Sequence, residues 1–173
     1  FKNSNRPKEV CFELEQSIKV NGTAYSITGI TQRNDAVYKS FKWREYNLKS
    51  ETNEDAFLNE YNGNWLLVKP LSEEPKTYVQ GDTILDYEGT KFSLFQTYNQ
   101  QIDWAIGNFD FNITDVDNLY SREFIAPPKM LIHEVRKSAK ETNPEWYEGE
   151  YVDNNEIYQE YLRLGNSTTF PSK

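Results

Sequence analysis

The sequence predicts a mainly β protein: two tandem antiparallel meanders, arranged as a sandwich or as partly open barrels, followed by one short C-terminal α-helix. Apolar residues recur at every second position through most of the chain, which is the period of a half-buried strand. Aromatic residues, which favour pleated surfaces, make up 15% of the sequence. A helical spacing of apolar residues occurs near the C-terminus.

Two tight hairpins are expected, one at the start of each meander. The run Ile18 to Ile27 alternates apolar and polar residues on both sides of Asn21-Gly22. Asn-Gly suits a two-residue turn because both of its residues need positive φ angles. The run Leu85 to Leu94 repeats this design around Glu88-Gly89, 67 residues further on.

The similarity of the two halves extends beyond the hairpins. Each hairpin is followed by a polar loop, an aromatic strand and a further pair of apolar segments. We therefore predict a single domain over residues 1–173. It would consist of two pseudo-repeats, at about 10–70 and about 76–135, with a C-terminal strand and helix within 145–165.

Residues 154–164 are predicted to form the C-terminal helix. Asp153 lies three residues before Glu156, which is the spacing of a capping box, and Gly165 stands where a helix commonly ends. The apolar residues at helical spacing are Ile157, Tyr158, Tyr161 and Leu162.

The charge of the chain disfavours two classes of ligand. With 27 acidic and 19 basic residues the net charge is −8, which repels phosphate backbones and anionic lipid surfaces. We therefore expect no nucleic-acid binding and no direct membrane insertion. Cys11 is the one cysteine, so no intrachain disulfide or cysteine-rich metal site can form, and we expect neither a metal nor a cofactor.

Catalytic motifs are scarce. His133 is the one histidine, and its place in an alternating apolar run favours a structural role. No nucleophile elbow or phosphate-binding loop is present. Oxygen-bearing side chains between Asn108 and Asn118 suit Ca²⁺ in type, but turn formation explains them equally well. The sequence leaves the question of an enzyme open and leans against one.

Four local patterns follow one another along the chain. They are Trp43 to Leu48; Leu58, Glu60, Gly63 and Trp65; Ile125 to Pro128 with Leu131 and Glu134; and Trp146 with Gly149 to Val152 and Glu156-Ile157. In this order they resemble the bacterial family called domain of unknown function 4178, from about Val20 to Leu162.

The resemblance implies a bacterial origin and no established activity. Members of that family often carry zinc-ribbon-like or membrane-spanning additions, and these 173 residues contain neither. We expect a cytoplasmic domain, with any membrane association made through segments outside this chain. The oligomeric state does not follow from the sequence.

The predicted binding surface is acidic and aromatic. It comprises Trp146, Tyr147, Glu150, Tyr151 and Glu134. Aromatic rings among carboxylates suit a cation, a basic peptide or a sugar. The leading hypothesis is a non-enzymatic binding or assembly module of a larger protein or complex, with a protein partner at this surface.

Two other functions stay open at this point. One is a carboxylate-based enzyme or binding protein acting on a carbohydrate or a polyamine, with Glu134 and Glu150 as the pair of acids. The other is a structural spacer without a pocket.

Overall fold

The computed structural model describes residues 5–76, 78–79, 81–109, 119–136, 145–165 and 170–171. Within these ranges, ten strands and one helix follow one another along the chain. They are β1 (Ser17–Val20), β2 (Thr23–Asp35), β3 (Lys42–Ser50), β4 (Asp55–Tyr61), β5 (Asn64–Pro70), β6 (Ile84–Tyr87), β7 (Thr90–Gly107), β8 (Leu119–Ala126), β9 (Lys129–Arg136), β10 (Glu145–Val152) and α1 (Asn154–Arg163). Strands account for 59% of the described residues, so the mainly β prediction with one C-terminal helix is confirmed.

Eight of these strands close into one barrel. Their order is β2-β3-β4-β5-β10-β9-β8-β7, with antiparallel neighbours throughout, and β7 pairs back with β2. Strand β1 extends the sheet beside β2, and β6 extends it beside β7. The structure thus shows a single closed barrel where the sequence allowed a sandwich or two partly open barrels.

The two halves contribute matching series of strands to this barrel. Strands β1 to β5 are neighbours in sequence order, as are β6 to β10. Both hairpin turns have positive φ angles, at Asn21-Gly22 and at Glu88-Gly89. A register irregularity follows each hairpin, at Thr28 in β2 and at Phe95 in β7. These positions are again 67 residues apart, and the internal duplication stays a prediction.

The apolar cores lie mainly outside the barrel wall. Residues Val10 to Phe12, strand β1 and α1 pack on the outer face of the first half, against side chains such as Tyr46 and Trp65. The outer face of the second half is covered by β6 with Leu71 and Tyr78. Because alternate residues of a strand face opposite sides, the remaining residues point into the lumen.

The helix begins as predicted and also covers the edge of β1. Asp153 caps it by accepting a hydrogen bond from the Asn155 N–H (2.9 Å). Three side chains within α1 bind backbone groups of β1 and of the turn that follows it. The contacts are Lys19 N–H to Glu160 Oε1 (2.7 Å), Asn21 N–H to Glu156 Oε1 (2.6 Å) and Arg163 Nη2 to the Ser17 carbonyl (2.6 Å). The helix thereby satisfies an edge that another strand would otherwise pair with.

Among the described residues, no helix is both long and apolar enough to cross a membrane.

Candidate functional site

The barrel encloses a cavity of about 80 Å³ to which all eight of its strands contribute side chains. One water molecule needs about 10–15 Å³ of such a cavity, so the space admits several waters or one small group of a larger ligand. Its charged walls are Arg33 of β2, Glu45 of β3, Glu134 of β9 and Glu145 of β10. The cavity therefore sets three carboxylates against one guanidinium.

The guanidinium of Arg33 already has hydrogen-bond partners within the lumen. Arg33 has a side chain only 4% exposed, and it donates from Nη2 to Glu45 Oε2 at 2.6 Å. It also donates from Nη1 to Gln100 Oε1 at 2.8 Å and from Nε to Thr31 Oγ1 at 3.1 Å. The positive charge is thus directed at Glu45.

Glu134 receives a neutral donor in place of a cation. Gln100 Nε2 donates to Glu134 Oε2 at 3.0 Å and to Ser121 Oγ at 2.7 Å. Burial, followed by the negative charge of Glu45, raises the pKa of Glu134 to about 7, although Arg33 and Gln100 act in the opposite direction. Near neutral pH this carboxyl is therefore close to half protonated.

Two tyrosine hydroxyls also point at carboxylates in the barrel. Tyr98 donates to Glu123, whose other oxygen accepts from Gln96 Nε2 at 2.7 Å, and burial raises the pKa of Glu123. Tyr147 donates to Glu145. Carboxylate oxygens inside the barrel thus accept hydrogen bonds from neutral side chains.

Aromatic rings form a large part of the cavity wall. Trp43 and Tyr98 meet edge to face, with centroids 5.4 Å apart, and Phe57 and Tyr147 do so at 5.9 Å. Asn59 adds a buried Oδ1 with no hydrogen-bond partner in the described part of the chain. Since buried polar atoms are nearly always paired, this oxygen is ready to accept a bond from a ligand or water.

The cavity borders an open acidic groove of about 370 Å³. Cavity and groove share Phe57, Glu145 and Tyr147. The groove adds the carboxylates of Glu73 and Glu74, and that of Asp55, which is paired with Lys49 Nζ at 2.6 Å. Acidic side chains therefore lie both in the cavity and at the surface beside it, and Glu145 lines both spaces.

The structure places the predicted site residues in different environments. Glu134 and Tyr147 line the cavity. Trp146, by contrast, is only 3% exposed and stacks on His133 in the outer core, with centroids 4.3 Å apart. It also borders the open groove, and its role as a surface contact stays a prediction. Tyr151 is exposed (50%).

The predicted pair of catalytic acids is wrong, because its two members lie on opposite faces of the barrel wall. Glu134 is opposite Glu145 in the β9–β10 register, whereas Glu150 is opposite Lys129. Glu145 faces the cavity, and Glu150 follows it at an odd spacing and therefore points outward. The carboxylate beside Glu134 in the cavity is that of Glu145, which was not among the predicted site residues.

The structure places the histidine and the cysteine in buried positions. His133 is 6% exposed, and burial lowers its pKa to about 4, so the imidazole is neutral at physiological pH. Cys11 is buried beside Tyr46, whose hydroxyl accepts a bond from the Cys11 N–H (3.1 Å). Burial raises the pKa of this thiol to about 12. The buried position of His133 agrees with the structural role predicted for it.

Most of the predicted oxygen-rich loop lies outside the described residues. Of its residues, Asp110, Asn112, Asp115, Asp117 and Asn118 lie outside the described residues. Elsewhere, within the described ranges, no group of three His, Cys, Asp or Glu side chains is placed to hold a metal ion.

Sequence reasoning missed the central network of Arg33, Glu45 and Gln100. A usable signal was present: Arg33 and Gln100 are long polar side chains 67 residues apart, at matching positions of the two segments predicted as polar loops. That loop prediction is wrong, because both segments continue strands β2 and β7. Polar residues at matching positions of two strands indicate an internal polar layer once the strands are known to meet.

Comparison with known proteins identifies a family and no characterised relative. Neither a curated protein nor a solved structure matches the chain. The family model described as Domain of unknown function (DUF4178) matches residues 13–154, a span that includes every strand from β1 to β10. This chain therefore belongs to the DUF4178 family.

Proposed function

We propose that this domain is a non-enzymatic binding module of a larger bacterial protein or complex, and that it binds a small organic cation of the polyamine class in the barrel lumen. The observation that carries the proposal is the imbalance of charge in the cavity, where three carboxylates face one guanidinium that is already paired. A bound cation would supply the missing positive charge.

An alkylammonium group fits the walls of the cavity. It brings three N–H donors, and Glu134, Glu145 and the unpartnered Asn59 Oδ1 offer acceptors. Aromatic faces such as that of Trp43 favour a desolvated cation as well. The volume of about 80 Å³ suits one such group and is small for a sugar ring, which argues against the carbohydrate alternative.

The groove favours a ligand with more than one positive charge. A first ammonium in the lumen leaves the rest of a linear ligand beside Glu145 and Tyr147. A second ammonium would then lie near Glu73 and Glu74, while Asp55 is already paired with Lys49. A linear diamine therefore meets carboxylates at both ends.

Catalysis and docking of a protein at residues 146–151 have less support. The expected pair of acids, Glu134 and Glu150, points to opposite faces of β9 and β10. Trp146, which was expected to belong to the contact surface, is buried in the outer core. Binding in the lumen would use Glu134 and Glu145, whose side chains both line the cavity.

Titration calorimetry with 1,4-diaminobutane at low salt tests the proposal. We expect the diamine to bind and 1,4-butanediol, a neutral ligand of the same length, not to bind. Glu145→Gln should weaken binding by about fivefold or more, because an ion pair of this kind contributes about 1 kcal/mol. Glu150→Gln is the matched control on the outer face of the same strand and should leave affinity unchanged. Equal losses in both variants, or equal binding of the diol, would refute the proposal.

A further inference from the structure

We infer that Glu134 gives up a proton when the lumen takes up its cation, so that the site fills above neutral pH and empties below it. The inference rests on the proposed function, because it specifies how that same site is regulated. It concerns one carboxyl group and the contacts that surround it.

The hydrogen-bond chain in the lumen fixes which acid lacks a counter-charge. Arg33 holds Glu45 through Nη2 and holds Gln100 Oε1 through Nη1. With its oxygen so held, Gln100 must present Nε2 to Glu134 and to Ser121. Glu134 therefore receives a neutral amide and cannot exchange it for the guanidinium without breaking the Arg33 contacts.

Negative or ionisable groups face Glu134 from most of the strands around it. The charged and titratable groups that line the cavity with it are Arg33 of β2, Glu45 of β3, Tyr98 of β7, and Glu145 and Tyr147 of β10. Tyr98 in turn donates a hydrogen bond to Glu123 of β8. Strands β4 and β5 contribute neutral side chains to the cavity, among them Asn59 and Val68. Protonation is the way in which the empty lumen reduces this excess of negative charge.

The direction of the coupling follows from linkage. Burial and Glu45 hold the pKa of Glu134 at about 7 in the empty protein. A cation beside the carboxyl favours its ionised form and lowers that pKa, so binding releases a proton. Affinity should therefore rise about tenfold between pH 6 and pH 8 and then level off. Alkylammonium groups, with pKa values near 10, stay charged across this range.

Calorimetry in two buffers of different ionisation enthalpy measures the released proton directly. Wild-type protein titrated with 1,4-diaminobutane should release about half a proton at pH 7 and show the tenfold change in affinity. Glu134→Gln should abolish both the proton release and the pH dependence. Glu150→Gln, on the outer face, should preserve both.

The outcomes separate this inference from the proposed function. Binding of the diamine with constant affinity from pH 6 to pH 8 and no proton release would overturn the inference and leave the proposed function standing. Absence of binding at every pH would overturn both.

A second measurement avoids dependence on a variant that fails to fold. Carbon NMR of the side-chain carboxyls in wild-type protein should show Glu134 titrating near neutral pH, and diamine should move that midpoint downward. A Glu134 midpoint below about pH 5 in the free protein would overturn the inference, since no proton would then be bound at pH 7.

Discussion

The two faces of the barrel wall differ in composition although they share the same strands. In β3, Tyr46 and Leu48 point outward into a dry core, while Glu45 points into the lumen beside Arg33. Small barrels commonly fill their interiors with apolar side chains. Here the outer face holds the larger apolar core, and the inner face includes a buried charged network. We infer that stability comes mainly from the outer face, and the proposed ligand binding would use the inner one.

The largest effect is expected from the outer core. Trp65 is 1% exposed and packs against Phe12 and Tyr46. Trp65→Ala should lower the free energy of unfolding by about 3–5 kcal/mol, because it removes a buried ring and leaves a cavity. Urea denaturation measures this loss. Tyr151→Ala, at an exposed position, is the control and should cost about 0.5 kcal/mol or less; a similar loss in both variants would contradict the assignment.

A somewhat smaller effect is expected from the lumen cation. Arg33→Met removes the partner of Glu45 and leaves a buried carboxylate unpaired, which should cost about 3 kcal/mol at pH 7. The double variant Arg33→Met with Glu45→Met should recover most of that stability, because no uncompensated charge remains. If the double variant were as unstable as the single one, the network would matter through packing and not through charge.

The sequence could predict most of the strands, both hairpins and the cap of α1, because these depend on local spacing and turn chemistry. It did not predict that β2 and β7 continue through their polar segments 32–35 and 98–101. It could not predict which residues converge. Closure depends on β2 pairing with β7 and on β5 pairing with β10, contacts between segments far apart in sequence. Trp146 and Tyr147 are adjacent and similar in type, yet only the barrel determines that Tyr147 faces the cavity.

The smallest effect on stability is expected from Glu134, and it depends on pH. The folded protein raises the pKa of this group from 4.5 to about 7, so Glu134 favours folding below pH 4.5 and that contribution is lost as the pH rises through 7. The side chain is partly exposed, which reduces the cost to about 2 kcal/mol at pH 8. Glu134→Gln should therefore be more stable than wild type at pH 8 and similar to it at pH 4. Parallel stability curves from pH 4 to pH 8 would contradict this.

The most direct test of the account is nitrogen NMR of the Gln100 side-chain amide during titration with 1,4-diaminobutane. Gln100 joins Arg33 to Glu134 at the centre of the lumen, and the indole of Trp65, which lines neither the cavity nor the groove, provides an internal reference in the outer core. We predict that the Gln100 amide signals shift in proportion to bound diamine, while the Trp65 indole signal stays in place. Saturable shifts at Trp65 with an unchanged Gln100 would show that the cation binds outside the barrel and would contradict the account.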